Sequence, residues 1–172
     1  MKKVFLLIIS IASFAARAQN LQTVIKTQAM DMSKALIKND FTSFVKFMHP
    51  KLLEFSGGLS RLKDKMDSAD YYKKQFGVSF KKILIGNPGP VIQYKGQLQC
   101  VVPETTDLET PMGLVSAETS LIALSTDQGK NWYFIDNLMY RAAKLKNELP
   151  DLSPNLNIPP QKAPVVTPLE KH

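Results

Sequence analysis

The stretch "SLIALSTDQGKNWYFID", residues 120–136, decides the fold. An apolar run, Leu121 to Leu124, gives way to polar turn residues and then to the aromatic run Trp132 to Phe134. That order reads as a β-hairpin, with a first strand from Gly113 to Thr126 and a second from Asn131 to Asp136. The turn has its own chemistry. Asp127 can accept hydrogen bonds from nearby backbone N–H groups, Gly129 permits a positive φ, and Trp132 can pack beneath the loop. A lone hairpin is only marginally stable in water, so this pair needs further strands or a helix against it.

Working outward, the segment upstream supplies the strands. From Val78 the apolar period is two, and a strand runs to Ile85. Gly86-Asn87-Pro88-Gly89-Pro90 is a turn. Ile92, Tyr94, Leu98, Cys100 and Val102 then share one face of a next strand, with Gln93, Lys95, Gln97 and Gln99 on the other. That is the pattern of a half-buried antiparallel strand. Pro103 to Pro111 reads as a polar loop.

Further upstream the period is helical. Leu21, Val24, Ile25, Ala29, Met32, Ala35 and Leu36 recur at spacings of three and four, which predicts an amphipathic helix of about 18 residues. Asn39-Asp40 breaks it, and Asp40 can cap a short second helix with Phe41, Phe44, Val45 and Met48 on one face. Leu59, Leu62, Met66, Ala69, Tyr72 and Phe76 define a third helix ending at Gly77. Between them lies His49, directly before Pro50. Proline disfavours helical geometry in the residue before it, so His49 is expected to end helix two, where a C-terminal histidine suits the helix dipole. Lys51 to Ser56 is then expected to run extended or as a single turn, with Gly57-Gly58 a sharp turn. Leu138, Ala142, Leu145 and Leu149 suggest a terminal helix. Residues 150–172 hold six prolines and read as an extended tail with little core of its own.

Lys2, Lys3, the apolar run Val4 to Ala16 and the small residues Ala16 and Ala18 form a secretory signal peptide, residues 1–18, with cleavage expected before Gln19. The apolar run is too short to span a bilayer, so no stable membrane span is expected. The protein is expected in the periplasm or outside the cell, as one domain over residues 19–149 followed by the tail. Loss of Lys2, Lys3 and Arg17 leaves 19 basic against 15 acidic side chains, so the formal charge falls from +7 to +4. Lysines occur in pairs, never in a dense run, which argues against a nucleic-acid partner. Cys100 is the single cysteine and is read as a buried small hydrophobe, with no internal disulfide. With two histidines in the chain, one of them the terminal His172, no His-rich metal cluster exists and no metal or other cofactor is expected.

Three N-terminal helices followed by antiparallel strands, with "KALIKNDFTSFVKFMHPKLLEFSGG" at residues 34–58 and the hairpin 120–136, resemble the nuclear-transport-factor-two-like superfamily. The likeness is to its small secreted bacterial members, in the same superfamily as ketosteroid isomerase and SnoaL-type cyclases. The resemblance covers residues 21–136. It implies an α+β fold, with N-terminal helices packed on a curved antiparallel sheet around a conical cavity, and no particular activity. Tyr94, Glu118 and Asp136 are the residue types an isomerase of that superfamily uses, and its dehydratases use paired histidines, of which this domain has one. "STDQGKNW", residues 125–132, is also similar to the sialidase Asp-box, departing at Asn131. Such an enzyme clamps its substrate with three arginines; the mature chain has Arg61 and Arg141, so the resemblance is confined to the turn.

No recognisable catalytic constellation emerges. The leading expectation is a non-catalytic exported module that binds a small apolar or amphipathic ligand, or serves in interaction. The candidate pocket residues are Phe55, Tyr72, Tyr94, Trp132 and Phe134. The alternatives are a small lyase or isomerase using Asp136 or His49 as base, and a protein-docking module with the Pro-rich tail as an extended ligand. A homodimer stays open.

Overall fold

The computed structural model describes residues 2–141 and 152–168, with side chains except at 2–19 and 69–72. Helix α1 spans Lys2–Ile37, and α2 (Phe41–Phe44) runs into a 3-10 turn, Val45–Phe47. Helices α3 (Pro50–Phe55) and α4 (Gly58–Phe76) follow. The strands are β1 (Ser79–Ile85), β2 (Ile92–Tyr94), β3 (Gln97–Thr110), β4 (Gly113–Ser125) and β5 (Tyr133–Asp136). A short α5 (Asn137–Arg141) and a last strand, β6 (Val165–Pro168), complete the fold. N-terminal helices pack against a six-stranded antiparallel sheet, so the α+β class stands. No helix among the described residues is long and apolar enough to cross a membrane. The expected terminal helix is helical over Asn137–Arg141; Ala142, Leu145 and Leu149 lie outside the described residues.

The long strands β3 and β4 form the centre of the sheet. β2 and β1 lie end to end along the free side of β3, and β5 and β6 lie end to end along the free side of β4. Ile92 to Val102 is not one strand: Lys95 (φ 46°) and Gly96 (φ 80°) form a two-residue hairpin turn, whose twist suits antiparallel strands. Tyr94 therefore pairs with Gln97, and Ile92 with Gln99. Pro103 to Pro111 is not a loop, because β3 continues through Pro103 to Thr110. The missing proline N–H costs no ladder bond to β4. The Pro103 carbonyl accepts from Gly86 N at 2.8 Å, so this residue's polar groups face away from β4, toward the connection between β1 and β2.

Both sheet faces are covered. On the first, Ile25, Ala29 and Met32 of α1 meet Cys100, Val102, Leu121, Ala123, Trp132 and Phe134. On the second, Met48, Leu52, Leu62 and Leu156 meet Ile122, Leu124 and Ile135. Each large apolar side chain so buried contributes about 1.5–3 kcal/mol. Cys100 is buried as expected, and burial pushes its thiol up to about 12. Of the polar face, Gln93 and Lys95 are exposed as expected, but the part on β3 is not solvated. Gln97 and Gln99 are buried, and the Gln99 side-chain oxygen accepts from Ser153 N at 2.7 Å. The Pro-rich segment is extended, but it contributes core: Leu156 is buried in the second cluster, which corrects the expectation of little core there.

Asp40 caps α2 as its position predicts, accepting from Ser43 N at 3.1 Å, and Gly77 closes α4 with φ 64°. His49 differs from expectation. It does not carry a helix C-terminus. It is the N-cap of α3, its Nδ1 accepting from Lys51 N at 3.3 Å, with Pro50 in the first turn. Pro50 has no N–H to satisfy and a φ preset for a helix start, so it opens a helix instead of ending one. The cap needs the imidazole lone pair, and burial holds the His49 pKa below its ordinary value. Its ring meets Tyr133 edge-on at 5.8 Å. The role is structural, by a mechanism opposite to the dipole argument.

The β4–β5 turn is built as its sequence indicates. Asp127 Oδ1 accepts from Lys130 N (3.1 Å), Asn131 N (3.0 Å) and Ser125 Oγ (2.9 Å). These bonds, that from Asn131 N first, hold its carboxyl at about 2. Asn131, the departure from the Asp-box pattern, donates its side-chain amide to Asp127 Oδ2 at 2.6 Å. Trp132 is buried and its indole N–H donates to Gly129 O at 3.0 Å. Gly129 has φ 87°, and a Cβ there would lie 2.3 Å from Leu21 Cδ2. Gly129→Val should therefore destabilise the protein by about 2 kcal/mol or more, from backbone strain and overpacking together. A denaturant midpoint equal to wild type would contradict this account of the turn.

Candidate functional site

The face of β3 that carries Cys100 and Val102 carries Glu104 and Thr106 next, by simple alternation. Their cross-strand partners are Thr119 and Ala117 on β4, and Ile85 and Ile83 on β1. Asp136 lies opposite Leu121, on the same face. Apolar core thus gives way to polar side chains near the C-terminal end of α1, where Leu36 forms part of the rim. The result is a cleft of about 310 Å³. Its walls are mainly apolar (Leu36, Phe80, Ile83, Ala117, Leu138), and Glu104, Thr119 and Asp136 also line it. Size and lining fit a small-molecule site.

One side of the cleft coincides with a break in the sheet. β6 pairs with β4 up to Ser116, and β5 begins pairing at Leu121. Ala117 to Ser120 have no registered strand partner on that side. Gln161, Lys162 and Pro164 border the cleft there. Lys162 Nζ reaches Glu118 Oε2 at 2.5 Å, both side chains being largely exposed.

The electrostatics of the lining are unusual. Burial, reinforced by the charge of Asp136, pushes the Glu104 carboxyl up to about 7, against the opposing hydrogen bond from Thr106. Thr106 Oγ1 donates to Glu104 Oε1 at a long 3.4 Å. Asp136 is also raised by burial, although it accepts from Met139 N (3.1 Å) and Leu138 N (2.7 Å). Thr119 Oγ1 is buried and has no hydrogen-bond partner among the described residues. A buried hydroxyl left unpaired is costly, which marks it as a position a ligand or water can satisfy. A carboxyl titrating near neutrality can donate a hydrogen bond, carry a charge or move a proton.

The five aromatic candidates are not gathered at this cleft. Trp132 and Phe134 are brought together, but inside the α1 core, with the Phe134 ring tilted against Phe47 at a centroid distance of 6.4 Å. Tyr94 stands half-buried at the β2 end, with the Lys95 ammonium 5.6 Å from its ring centroid. Phe55 is 45% exposed on α3. Tyr72 falls on α4, its side chain outside the described residues. Of the isomerase-type residues, Glu118 and Asp136 line the cleft and Tyr94 does not. His49 is not among the lining residues either. Glu104 is not legible as a site residue while Pro103 reads as the end of its strand, and Thr119, inside the expected hairpin strand, carries no local signal of a ligand position. Continuing the alternation from Cys100 and Val102 would have placed Glu104 on the core face.

A second depression, of about 410 Å³, lies between Asn87–Pro90 and Asn155–Pro159, and its lining has no ionisable side chain. Among the described residues no group of three His, Cys, Asp or Glu side chains could hold a metal ion. Compared with protein-family models, with curated proteins and with solved structures, the chain finds no match.

The raised Glu104 pKa has a defined stability signature. Between its ordinary 4.5 and about 7 the folded state binds more protons than the unfolded state, so Glu104 erodes stability as pH rises through that window. Glu104→Gln should be more stable than wild type by on the order of 2 kcal/mol at about pH 8, and the difference should vanish below about pH 4.5. Chemical denaturation across that range measures it. A difference independent of pH would contradict the assignment.

Proposed function

We propose that the chain is an exported, non-catalytic module that binds a small amphipathic molecule in the cleft over Glu104, Thr119 and Asp136. The observation that carries the proposal is a set of incompletely satisfied polar groups set among apolar walls in a cleft open to solvent. Desolvating two carboxyls that have no cation beside them, and a hydroxyl that has no partner, among the described residues works against stability. A ligand that supplies those partners makes sense of the arrangement. The nuclear-transport-factor-two-like assignment is part of the proposal. It is supported by helices that precede and cover an antiparallel sheet, and by a cleft bounded by the end of the first helix. Export rests on the leader at residues 1–18.

A second reading, a lyase or isomerase, is favoured by one observation: Asp136 shares the cleft with a carboxyl whose pKa is near 7. Two carboxyls in different hydrogen-bonding environments can divide acid and base roles. His49 is committed to its cap, which removes it as the alternative base. The docking reading has less support, since the Pro-rich segment lies on the protein's own sheet.

Filling the cleft tests the proposal. Ala117 lines it, and Ala117→Phe should occupy part of its volume. Compounds from a panel of small amphipathic molecules that raise the wild-type melting temperature should fail to do so for Ala117→Phe. Equal shifts in both proteins would place binding elsewhere and defeat the proposal.

A further inference from the structure

The charges around the cleft define what its ligand must bring. Among the described residues, Glu104 on β3, Glu118 on β4, Asp136 on β5 and Lys162 on the C-terminal segment are the charged side chains that line it. β1 contributes Phe80 and Ile83, and α1 contributes Leu36, all uncharged. Lys162, the one cation among the described lining residues, is already placed on Glu118. Glu104 and Asp136 repel each other, and among the described residues their hydrogen bonds come from the Thr106 hydroxyl and from two backbone N–H groups, not from a cation. An acidic lining is notable in a chain whose formal charge is +7.

Two independent features turn this lining into a site with a stated ligand. The first is the volume, about 310 Å³, with apolar side chains facing the carboxyls. The second is Thr119 Oγ1, buried and without a partner, directly opposite Glu104 in the strand register. We propose that the molecule received here carries a protonated amine on an apolar body, with the amine seated between Glu104 and Asp136. The inference rests on the binding function proposed above and names its ligand class. An ammonium group carries three donors and no acceptor. It can address Glu104, Asp136 and the Thr119 hydroxyl together, while the apolar body meets Leu36, Phe80 and Ile83. A carboxylate ligand would meet two like charges. A neutral ligand would leave the ionised pair uncompensated. The protein's own Lys162 ammonium on Glu118 is the same pairing, made once at the rim of the cleft.

The pH dependence follows with a definite sign. An aliphatic amine stays protonated well above neutrality, so its binding should strengthen as Glu104 ionises and then level off above its titration. A ligand that accepts a hydrogen bond from protonated Glu104 would weaken over the same range.

Three probes of one shape decide the matter: phenylbutylamine, phenylbutanol and phenylbutyrate, titrated calorimetrically into the full mature chain. Methyl NMR shifts at Ile83, Ala117 and Leu138 report the location. The amine should bind in the cleft about tenfold more tightly than the alcohol, and the acid should bind weakest. Glu104→Gln should reduce amine affinity to about that of the alcohol, and unchanged methyl NMR shifts away from the cleft certify that the variant folds. Alcohol or acid binding as tight as the amine, or an amine affinity unaffected by Glu104→Gln, would overturn the inference and leave the binding reading standing. Absence of binding by all three, with no shifts at the cleft methyls, would overturn both.

Discussion

The hydrogen bonds around Trp132 fix where the first helix lies, and much of the first face follows from that. The indole N–H is held by Gly129 O beneath the β4–β5 turn. The Trp132 backbone N–H donates to the Gln28 side-chain oxygen at 2.9 Å, and the Gln28 amide donates to Lys130 O at 2.8 Å. One glutamine on α1 thus completes the turn from outside. With Gln28 pinned, helical geometry places Ile25, Ala29 and Met32 on the sheet. It also puts Leu36, eight residues on, about 12 Å farther along the axis, at the cleft rim.

The cleft is the counterpart of that placement. The alternation that puts Cys100 and Val102 under α1 also puts Glu104 and Thr106 on the same face, near the end of the helix. Leu121 and Asp136 face each other at this boundary. The energetic character changes across one strand residue in two: full apolar burial on one side, carboxyls in partial desolvation on the other. A fold optimised for stability alone would place an apolar or fully hydrogen-bonded residue at Glu104. Departures from local consistency of this kind concentrate at functional positions, and here the departure coincides with a cavity.

What could be read from the sequence was what is encoded locally. The hairpin 120–136, the Asp40 cap, the Gly77 stop and the amphipathic face of α1 each depend on residues close in sequence, and each stands. The errors share a cause. Pro103 looks like a strand breaker until its missing N–H is seen to face the β1–β2 connection. Gln97 and Gln99 look solvent-facing until Ser153 and Leu156, about 55 residues later, are seen to cover that face. The Lys95-Gly96 turn was hidden because the residues around it kept period two. At the site, Asp136 and Glu118 were suitable types without a known location. Glu104 is hidden with the strand that carries it, and of the aromatic candidates with described side chains Trp132 and Phe134 lie in the core, Tyr94 at a turn and Phe55 at the surface.

If the Trp132 clasp fixes the first helix on the sheet, it should open only with global unfolding. Amide and indole hydrogen exchange, followed by NMR across a denaturant series, tests it directly. The account predicts that the Trp132 indole N–H and backbone N–H exchange with the same free energy and denaturant slope as the slowest amides of β3 and β4, as expected for global unfolding. Exchange of the Trp132 protons through a low-energy local opening, with the β3–β4 amides still protected, would contradict it.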